Sequence, residues 1–319
     1  MGVESYRSQQ TSLMIKTQNI EIVDVTARDG LQNESVIFTT EDKIDLINRS
    51  IETGVKRLEV ASFVHPKYVP QMADAEAVIN NLPEKDNLTY IGLAMNERGV
   101  DRALKTKIDE IGLVVVATDT FAKKNQNQTR DSSIKMASSM VKKIKSEGRK
   151  VNVTIAASFG CPFEGEVEIG TVVEMAQQIA FSNPDEISIA DTIGVGDPWK
   201  VKELFSQLKS ELPTMPLRAH FHNTRNTGLA NVYTAIECGV NSIDVSIGGI
   251  GGCPFAPSAT GNVPSEDVVY MLGRNGIDTG LSLNKLISTS QWLSKKMGKT
   301  LPGMVSRAGS FPENLSRAI

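Results

Sequence analysis

Residues 186–222 read EISIADTIGVGDPWKVKELFSQLKSELPTMPLRAHFH, and they contain the clearest indication of the fold. A short apolar run at 186–190 is followed by a segment at 200–208 whose apolar residues recur with helical spacing, and then by a second apolar run at 217–222. Runs of that length are typical of buried β-strands, and the segment between them is typical of an amphipathic helix. The stretch is therefore predicted to be one strand–helix–strand unit.

The same unit recurs along the chain. The predicted strands are Ile20–Val25, Arg57–Ser62, Leu88–Leu93, Ile111–Ala117, Val151–Ala157, Glu186–Ala190, Leu217–His222 and Ser242–Ile247. The predicted helices are Glu41–Thr53, Met72–Asn81, Glu97–Leu104, Ser132–Lys145, Val172–Phe181, Lys200–Leu208 and Arg225–Cys238. This order predicts the α/β class, as a closed (β/α)₈ TIM barrel with additional C-terminal helices. An open doubly wound sheet is the alternative, but the repeat has no halfway break.

Residues 19–319 are expected to form one catalytic domain, preceded by a flexible extension at 1–18. Hydrophobic residues make up 40% of the chain and charged residues 22%, and the net charge of -3 gives no basic excess for a nucleic-acid partner. No apolar run has the eighteen or more residues that span a membrane. Three widely spaced cysteines favour reduced thiols, so a cytoplasmic location is expected.

Two of the three histidines, His220 and His222, lie one residue apart in a predicted strand. Strand side chains alternate between faces, so both imidazoles project from the same face. Paired imidazoles together with a carboxylate can bind a divalent metal ion. Two hydrogen-bonded histidines in a barrel core remain the alternative.

Polar residues also follow several other predicted strands. Active sites of this fold lie at the carboxyl ends of the strands, so these residues are expected to converge on one cavity. They are Arg28, Asp29, Glu59, Asp191, His220, His222 and Cys253. Each alone has a structural alternative, such as an Arg28–Glu59 bridge, but five strand ends that all deliver reactive groups favour an active site.

Five motifs then carry a resemblance to a known family: DVTARDGLQNE, ASFVHPKYVPQMAD, ADTIGVGDP, AHFHNT and GGIGGCPFAPSATGNVPSEDVVYML. In this order and spacing, from about residue 19 to about 290, they resemble the 3-hydroxy-3-methylglutaryl-CoA (HMG-CoA) lyases of the metal-dependent lyase and Claisen-condensing barrel superfamily. The GGIGGCP context of Cys253 is similar to that of the lyases rather than the condensing synthases.

The resemblance implies cleavage of HMG-CoA to acetyl-CoA and acetoacetate. It also implies roles for individual residues. Asp29, His220, His222 and Asn262 would hold Mg²⁺ or Mn²⁺, and Arg28 would stabilise the enolate oxygen. Cys253 would protonate the carbanion. Glu59 and Asp191 would orient Arg28 and the metal site, and Glu266 would be a supporting carboxylate on the loop after Asn262.

The resemblance further implies an acyl-CoA substrate and a homodimer. Coenzyme binding is assigned to Gln32, Lys67, Lys123 and Lys124. The lysines are placed in loops after the second and fourth strands, where they would meet the CoA phosphates. Solvated lysines are the alternative.

Three residues depart from the family pattern. Asn223 stands where Asp is usual, Asn226 where Gly is usual and Ser265 where Thr is usual. These departures leave open a lyase for another 3-hydroxy-3-substituted glutaryl-CoA. A synthase on the same barrel and a catalytically silent binding protein are further alternatives.

Overall fold

Eight parallel strands close into a barrel in sequence order in the computed structural model, which describes residues 19–84, 86–252 and 261–311. The strands are β1 Glu21–Asp24, β2 Arg57–Ser62, β3 Thr89–Ala94, β4 Glu110–Val116, β5 Lys150–Ala156, β6 Glu186–Asp191, β7 Leu217–Phe221 and β8 Ser242–Val245. The barrel closes where β1 pairs with β8, through Val23 and Asp244 among others. The predicted TIM barrel is confirmed, whereas the predicted extension at 1–18 lies outside the described residues.

Helices follow the strands on the outside of the barrel. They are Thr40–Glu52, Ala75–Asn80, Glu97–Leu104, Asp119–Gln126, Arg130–Ser146, Ile169–Ala180, Pro198–Glu211 and Gly228–Glu237, with Ser265–Arg274, Leu283–Met297 and Val305–Ala308 after the last strand. The predicted C-terminal helices are therefore present. Asp267 ties two of them together, because its carboxylate accepts hydrogen bonds from the backbone of Met304 and Val305. Within the described residues, no helix is long and apolar enough to cross a bilayer.

One prediction about a loop is wrong. Lys123 and Lys124 lie in the helix Asp119–Gln126 rather than in a loop. This short helix buries Phe121 and Ala122 against the barrel, and it ends where Asn127 adopts a left-handed φ of 55°. Its eight residues contain too few apolar positions to produce a helical period in the sequence.

The helix predicted from Arg225 begins instead at Gly228. Asn226 has a left-handed φ of 60°, which interrupts any earlier helical turn. Oδ1 of Asn223 accepts a hydrogen bond from the backbone N–H of Gly228, the first residue of the helix, at 3.0 Å. Both residues thus have local structural roles: Asn226 adopts a left-handed conformation that Asn tolerates, and the amide oxygen of Asn223 binds the first backbone N–H of the helix.

The strands carry apolar side chains toward the helices and a mixture of polar and apolar side chains toward the interior cavity. On β7 the side chains of Leu217, Ala219 and Phe221 are fully buried in the layer between strands and helices, while Arg218 and His220 line the interior cavity. This alternation follows from the two-residue period of a strand.

An ion-pair network lies among the amino-terminal ends of the strands. Arg57 forms ion pairs with Glu110 at 2.7 Å, Glu186 at 2.8 Å and Glu21 at 3.0 Å. The carboxyl ends of the strands carry the open cavity.

Candidate active site

A cavity of about 170 Å³ opens inside the barrel, and the residues that line it include Arg28, Asp29, Gln32, Glu59, His220 and His222. Three segments of the chain deliver these six side chains: the segment after β1, strand β2, and the end of β7. The volume suits an acyl group rather than a whole coenzyme, since ligand pockets usually exceed about 300 Å³. The structure therefore brings six of the thirteen predicted site residues together in one cavity.

A π-helical turn at Thr26–Gly30, directly after β1, presents Arg28 and Asp29 to this cavity. Nη1 of Arg28 lies 2.6 Å from Oδ1 of Asp29, and Nη2 lies 2.5 Å from Oε2 of Glu59. Burial alone would lower the pKa of the Arg28 guanidinium, but the carboxylates of Glu59 and Asp29 raise it. Arg28 therefore stays a cation held in a fixed orientation.

The possible metal-binding group in the described part of the chain is Asp29, His220 and His222. Their ligand atoms lie within 4.8 Å of one another, as atoms that share one ion must. Burial opposes ionisation of Asp29, but Arg28 and the two imidazoles lower its pKa below the usual value. The carboxylate is thus available as an anionic oxygen ligand.

The two imidazoles differ in their surroundings. Nδ1 of His220 lies 3.0 Å from Oδ2 of Asp244, which leaves Nε2 for a ligand. Burial, and then the neighbouring His220, lower the pKa of His222 to about 4, so its imidazole is neutral at pH 7. Nδ1 of His222 is buried and forms no hydrogen bond to any described residue. A ring nitrogen of a neutral imidazole that has no hydrogen-bond partner can bind a metal ion through its lone pair.

Asn262 lies against this group. Its Nδ2 donates to Oδ2 of Asp29 at 2.8 Å and to the backbone oxygen of Ile250 at 3.1 Å. A backbone bridge also joins Asn262 to His222, just beyond the end of β7. Gly251 allows this approach, because a side chain there would begin 2.5 Å from Nδ2 of Asn262. One carboxylate, two imidazoles and one amide fit a divalent ion that prefers mixed oxygen and nitrogen ligands.

Asp191 and Glu266 are placed differently from these residues. The two carboxylate oxygens of Asp191 accept hydrogen bonds from the backbone of Val195 and Gly196, so Asp191 shapes its own loop. Glu266 lies in the first turn of the helix Ser265–Arg274, not on a loop as predicted, and its Oε2 accepts a hydrogen bond from Gly248. Neither residue lines the cavity. Ser265 precedes Glu266 in the same turn, and its backbone N–H donates to Ser246.

A second cavity, of about 700 Å³, adjoins the first. Gln32, Leu93, Met95 and Asn125 line both of them. Lys124 borders the larger cavity, where its Nζ lies 5.0 Å from the ring of Phe163.

The other two predicted coenzyme lysines lie elsewhere. Lys67 and Lys123 are exposed, and neither lines the two cavities. Cys253 lies outside the described residues. The neighbouring Gly252 lines the smaller cavity and accepts a hydrogen bond from Asn33 at 2.5 Å.

Sequence reasoning missed two ionisable residues of the cavity, Asp244 and Arg218. Asp244 interrupts the apolar strand SIDV, and Arg218 precedes His220 by two residues and so shares its face. An ionisable residue inside a short buried strand could have indicated both positions, because charged side chains are almost never buried without a partner or a function.

Comparison with known proteins places the chain in a family. The HMGL-like family model matches residues 19–293. The chain belongs to the HMGL-like family. It is 38% identical to a hydroxymethylglutaryl-CoA lyase of Bacillus subtilis, over 89% of this chain and 95% of the relative. It is also 38% identical to the (R)-citramalyl-CoA lyase of Chloroflexus aurantiacus, over 94% of this chain and 98% of the relative.

Solved structures agree with this assignment. An HMG-CoA lyase from Acinetobacter baumannii, in complex with coenzyme A and 3-methylmalate, superimposes with a TM-score of 0.88 at 36% identity, over 92% of this chain and 96% of that one. This HMGL-like protein is accordingly an enzyme, and its class is that of the carbon–carbon lyases.

Proposed function

We propose that this enzyme cleaves HMG-CoA to acetyl-CoA and acetoacetate with the help of Mg²⁺ or Mn²⁺. The observation that carries the proposal is the convergence of Asp29, His220 and His222 beside Arg28 in one acyl-sized cavity. Asn262 would be the fourth ligand. A bound divalent ion would lower the pKa of the substrate's 3-hydroxyl group and so ease its deprotonation.

Cleavage moves one proton and one pair of bonding electrons. A base takes the 3-hydroxyl proton, the C2–C3 bond breaks, and its electron pair becomes the enolate of acetyl-CoA while C3 becomes the ketone of acetoacetate. His220 and the strand-end carboxylates are the candidate bases. The enolate carbon then takes up a proton, for which Cys253 is the proposed donor.

Arg28 is proposed to stabilise the negative charge that develops on the thioester oxygen. Its guanidinium is fixed by Asp29 at 2.6 Å and Glu59 at 2.5 Å, so little reorganisation is needed when the charge appears. Glu59 is thereby a positioning residue. Because both anchoring carboxylates are buried beside it, Arg28 cannot turn toward solvent without leaving them unpaired.

The adjoining cavity of about 700 Å³ is proposed to take the coenzyme, with Gln32 at the junction and Lys124 at its border. Lys67 and Lys123 are not included in this proposal, because they are exposed and line neither cavity. By resemblance to the family we also propose that the enzyme is a homodimer. We propose a cytoplasmic location because three widely spaced cysteines favour reduced thiols.

A lyase for (R)-citramalyl-CoA is the second candidate, because that relative is as similar to this chain as the HMG-CoA lyase. The test is to offer HMG-CoA and citramalyl-CoA separately to the Mn²⁺-loaded enzyme and to identify the keto acid that is released. Acetoacetate from HMG-CoA, at a higher kcat/KM than pyruvate from citramalyl-CoA, supports the proposal. A higher kcat/KM for citramalyl-CoA would instead identify the enzyme as a citramalyl-CoA lyase. Cys253→Ala should abolish either activity.

A further inference from the structure

A buried arginine lies between the candidate metal site and the ion pairs at the amino-terminal ends of the strands. Arg218 lies on β7, two residues before His220, and it lines the interior cavity. Only 4% of its surface is exposed. Arginine is almost never buried to this extent unless its charge is paired. Neighbouring carboxylates are therefore expected to balance its charge.

The two neighbouring strands each supply one buried carboxylate. Nε of Arg218 lies 3.2 Å from Oε2 of Glu186 on β6 and 3.5 Å from Oδ1 of Asp244 on β8. Nε forms no hydrogen bond of good geometry with a described residue, so both are contacts between charges. A buried carboxylate is costly unless a cation lies beside it. Arg218 is a cation that Glu186 and Asp244 share.

Glu186 and Asp244 differ in their other partners. Glu186 is also paired with Arg57, whose Nη2 lies 2.8 Å from Oε2 of Glu186. Oδ1 of Asp244 is buried and has no hydrogen-bond partner among the described residues. Loss of the Arg218 guanidinium would therefore leave Glu186 with an ion-pair partner, but it would take away the cation beside Oδ1 of Asp244.

The two oxygens of Asp244 face different groups. Oδ1 faces the guanidinium of Arg218, whereas Oδ2 lies 3.0 Å from Nδ1 of His220. The guanidinium therefore limits how far this carboxylate can turn away from the imidazole. A carboxylate that contacts a metal-binding histidine in this way fixes the orientation of the ring. That orientation matters because the ligand atom of His220 must stay within 4.8 Å of those of Asp29 and His222.

We propose that Arg218 is a positioning residue of the candidate metal site, which holds the carboxylate of Asp244 so that this carboxylate orients the imidazole of His220. Arg218 is not itself a candidate ligand, because a guanidinium has no acceptor atom to offer a cation. This inference rests on the proposed function, since it takes His220 to hold the divalent ion.

A double-mutant cycle tests whether Arg218 acts through Asp244. The Kd for Mn²⁺ is measured by calorimetry, without substrate, on the full-length parent enzyme, Arg218→Met, Asp244→Asn and the double variant. We expect Arg218→Met to raise the Kd about tenfold in the parent enzyme. In the Asp244→Asn background the same substitution should change the Kd by less than about twofold, because the carboxylate through which it acts is already neutral.

Two results of this cycle would overturn the proposal. An equal increase of the Kd in both backgrounds would show that Arg218 acts independently of Asp244. An unchanged Kd in folded Arg218→Met would show that it has no part in the site. If the parent enzyme bound no Mn²⁺ at all, the proposed function would fail, and this inference would fail with it.

Arg57→Met is the matched control, because it also removes an arginine of the same ion-pair network. Arg57 pairs with Glu186, Glu110 and Glu21, and within the described residues it forms no ion pair with Asp244. The substitution should lower Tm, since it leaves buried carboxylates without a partner, but it should not change the Kd for Mn²⁺. An equal increase of the Kd in Arg57→Met would attribute the effect to a loosened barrel and overturn the proposal.

Arg218→Met removes a partner of two buried carboxylates and could prevent folding, so a measurement on the unmodified enzyme is also needed. In a crystal structure of the Mn²⁺-loaded enzyme, Oδ1 of Asp244 should lie beside the guanidinium of Arg218 and Oδ2 beside Nδ1 of His220. A guanidinium turned away from Asp244, with His220 still bound to the ion, would refute the positioning role without any variant.

Discussion

Nδ1 of His220 lies 3.0 Å from Oδ2 of Asp244, inside the barrel, where both residues are largely buried and line the cavity. This contact fixes which ring nitrogen of His220 faces the other candidate ligands. Carboxylates that orient a metal-binding histidine in this way also raise the basicity of the imidazole. Asp244 therefore belongs to the site even though it offers no ligand atom of its own.

Asp244→Asn should weaken metal binding because it removes the charge that orients His220. We expect the Kd for Mn²⁺, measured by calorimetry, to rise about 10- to 100-fold. Asp267→Asn is the control, since Asp267 is equally a buried carboxylate but binds the backbone of Met304 and Val305. Equal Mn²⁺ affinity in Asp244→Asn and the parent enzyme would show that Asp244 does not position the histidine.

Arg28→Met should slow the chemical step more than it weakens substrate binding. The loss of a fixed donor at a developing oxyanion typically costs about 3 kcal/mol, so kcat should fall about 100- to 1000-fold with a smaller change in KM. Steady-state kinetics on HMG-CoA measure both constants. The exposed Arg49, paired with Asp45, provides the control Arg49→Met. A raised KM with unchanged kcat would assign Arg28 to ground-state binding instead.

The sequence predicts the barrel and its catalytic face well, since both follow from period and order. Short apolar runs predict the eight strands, and the helical spacing of apolar residues predicts most of the helices. Arg28, Asp29, His220 and His222 lie at the carboxyl ends of the strands, as predicted, and line one cavity. Pairing partners are less predictable. The contact between Asp244 and His220 depends on the register in which β8 pairs with β7, which no local sequence pattern reveals.

Glu266 should make folding stability depend on pH. Burial raises the pKa of its carboxyl group to about 7, so the folded protein binds a proton that the unfolded chain releases near its ordinary pKa of 4.5. The free energy of unfolding should therefore decrease as pH rises from about 4.5 to about 7, by about 3 kcal/mol.

Glu266→Gln should remove this component of the pH dependence, because the amide stays neutral. The check is urea unfolding of both proteins at pH 5 and pH 8. The variant should be more stable than the parent at pH 8 and similar to it at pH 5. Parallel pH profiles for the two proteins would show that Glu266 is ionised in the folded state across this range.

Substitutions at Asn226 can show whether this departure from the family pattern affects only the backbone conformation or also the choice of substrate. Its φ of 60° is a conformation that Gly and Asn adopt readily and β-branched residues do not. Asn226→Gly should leave Tm and kcat/KM nearly unchanged, whereas Asn226→Val should cost about 1–2 kcal/mol of stability. A large change of substrate preference in Asn226→Gly would instead give this position a role in specificity.

A divalent ion held by Asp29, His220 and His222 is proposed to allow this enzyme to cleave HMG-CoA. The most direct measurement is acetoacetate release from HMG-CoA by enzyme stripped with EDTA and then titrated with Mn²⁺, beside His222→Ala treated in the same way. We expect the stripped enzyme to release no acetoacetate and to regain its activity when Mn²⁺ is added. The folded His222→Ala variant should not regain activity with Mn²⁺. Undiminished release from fully stripped enzyme would contradict the proposal.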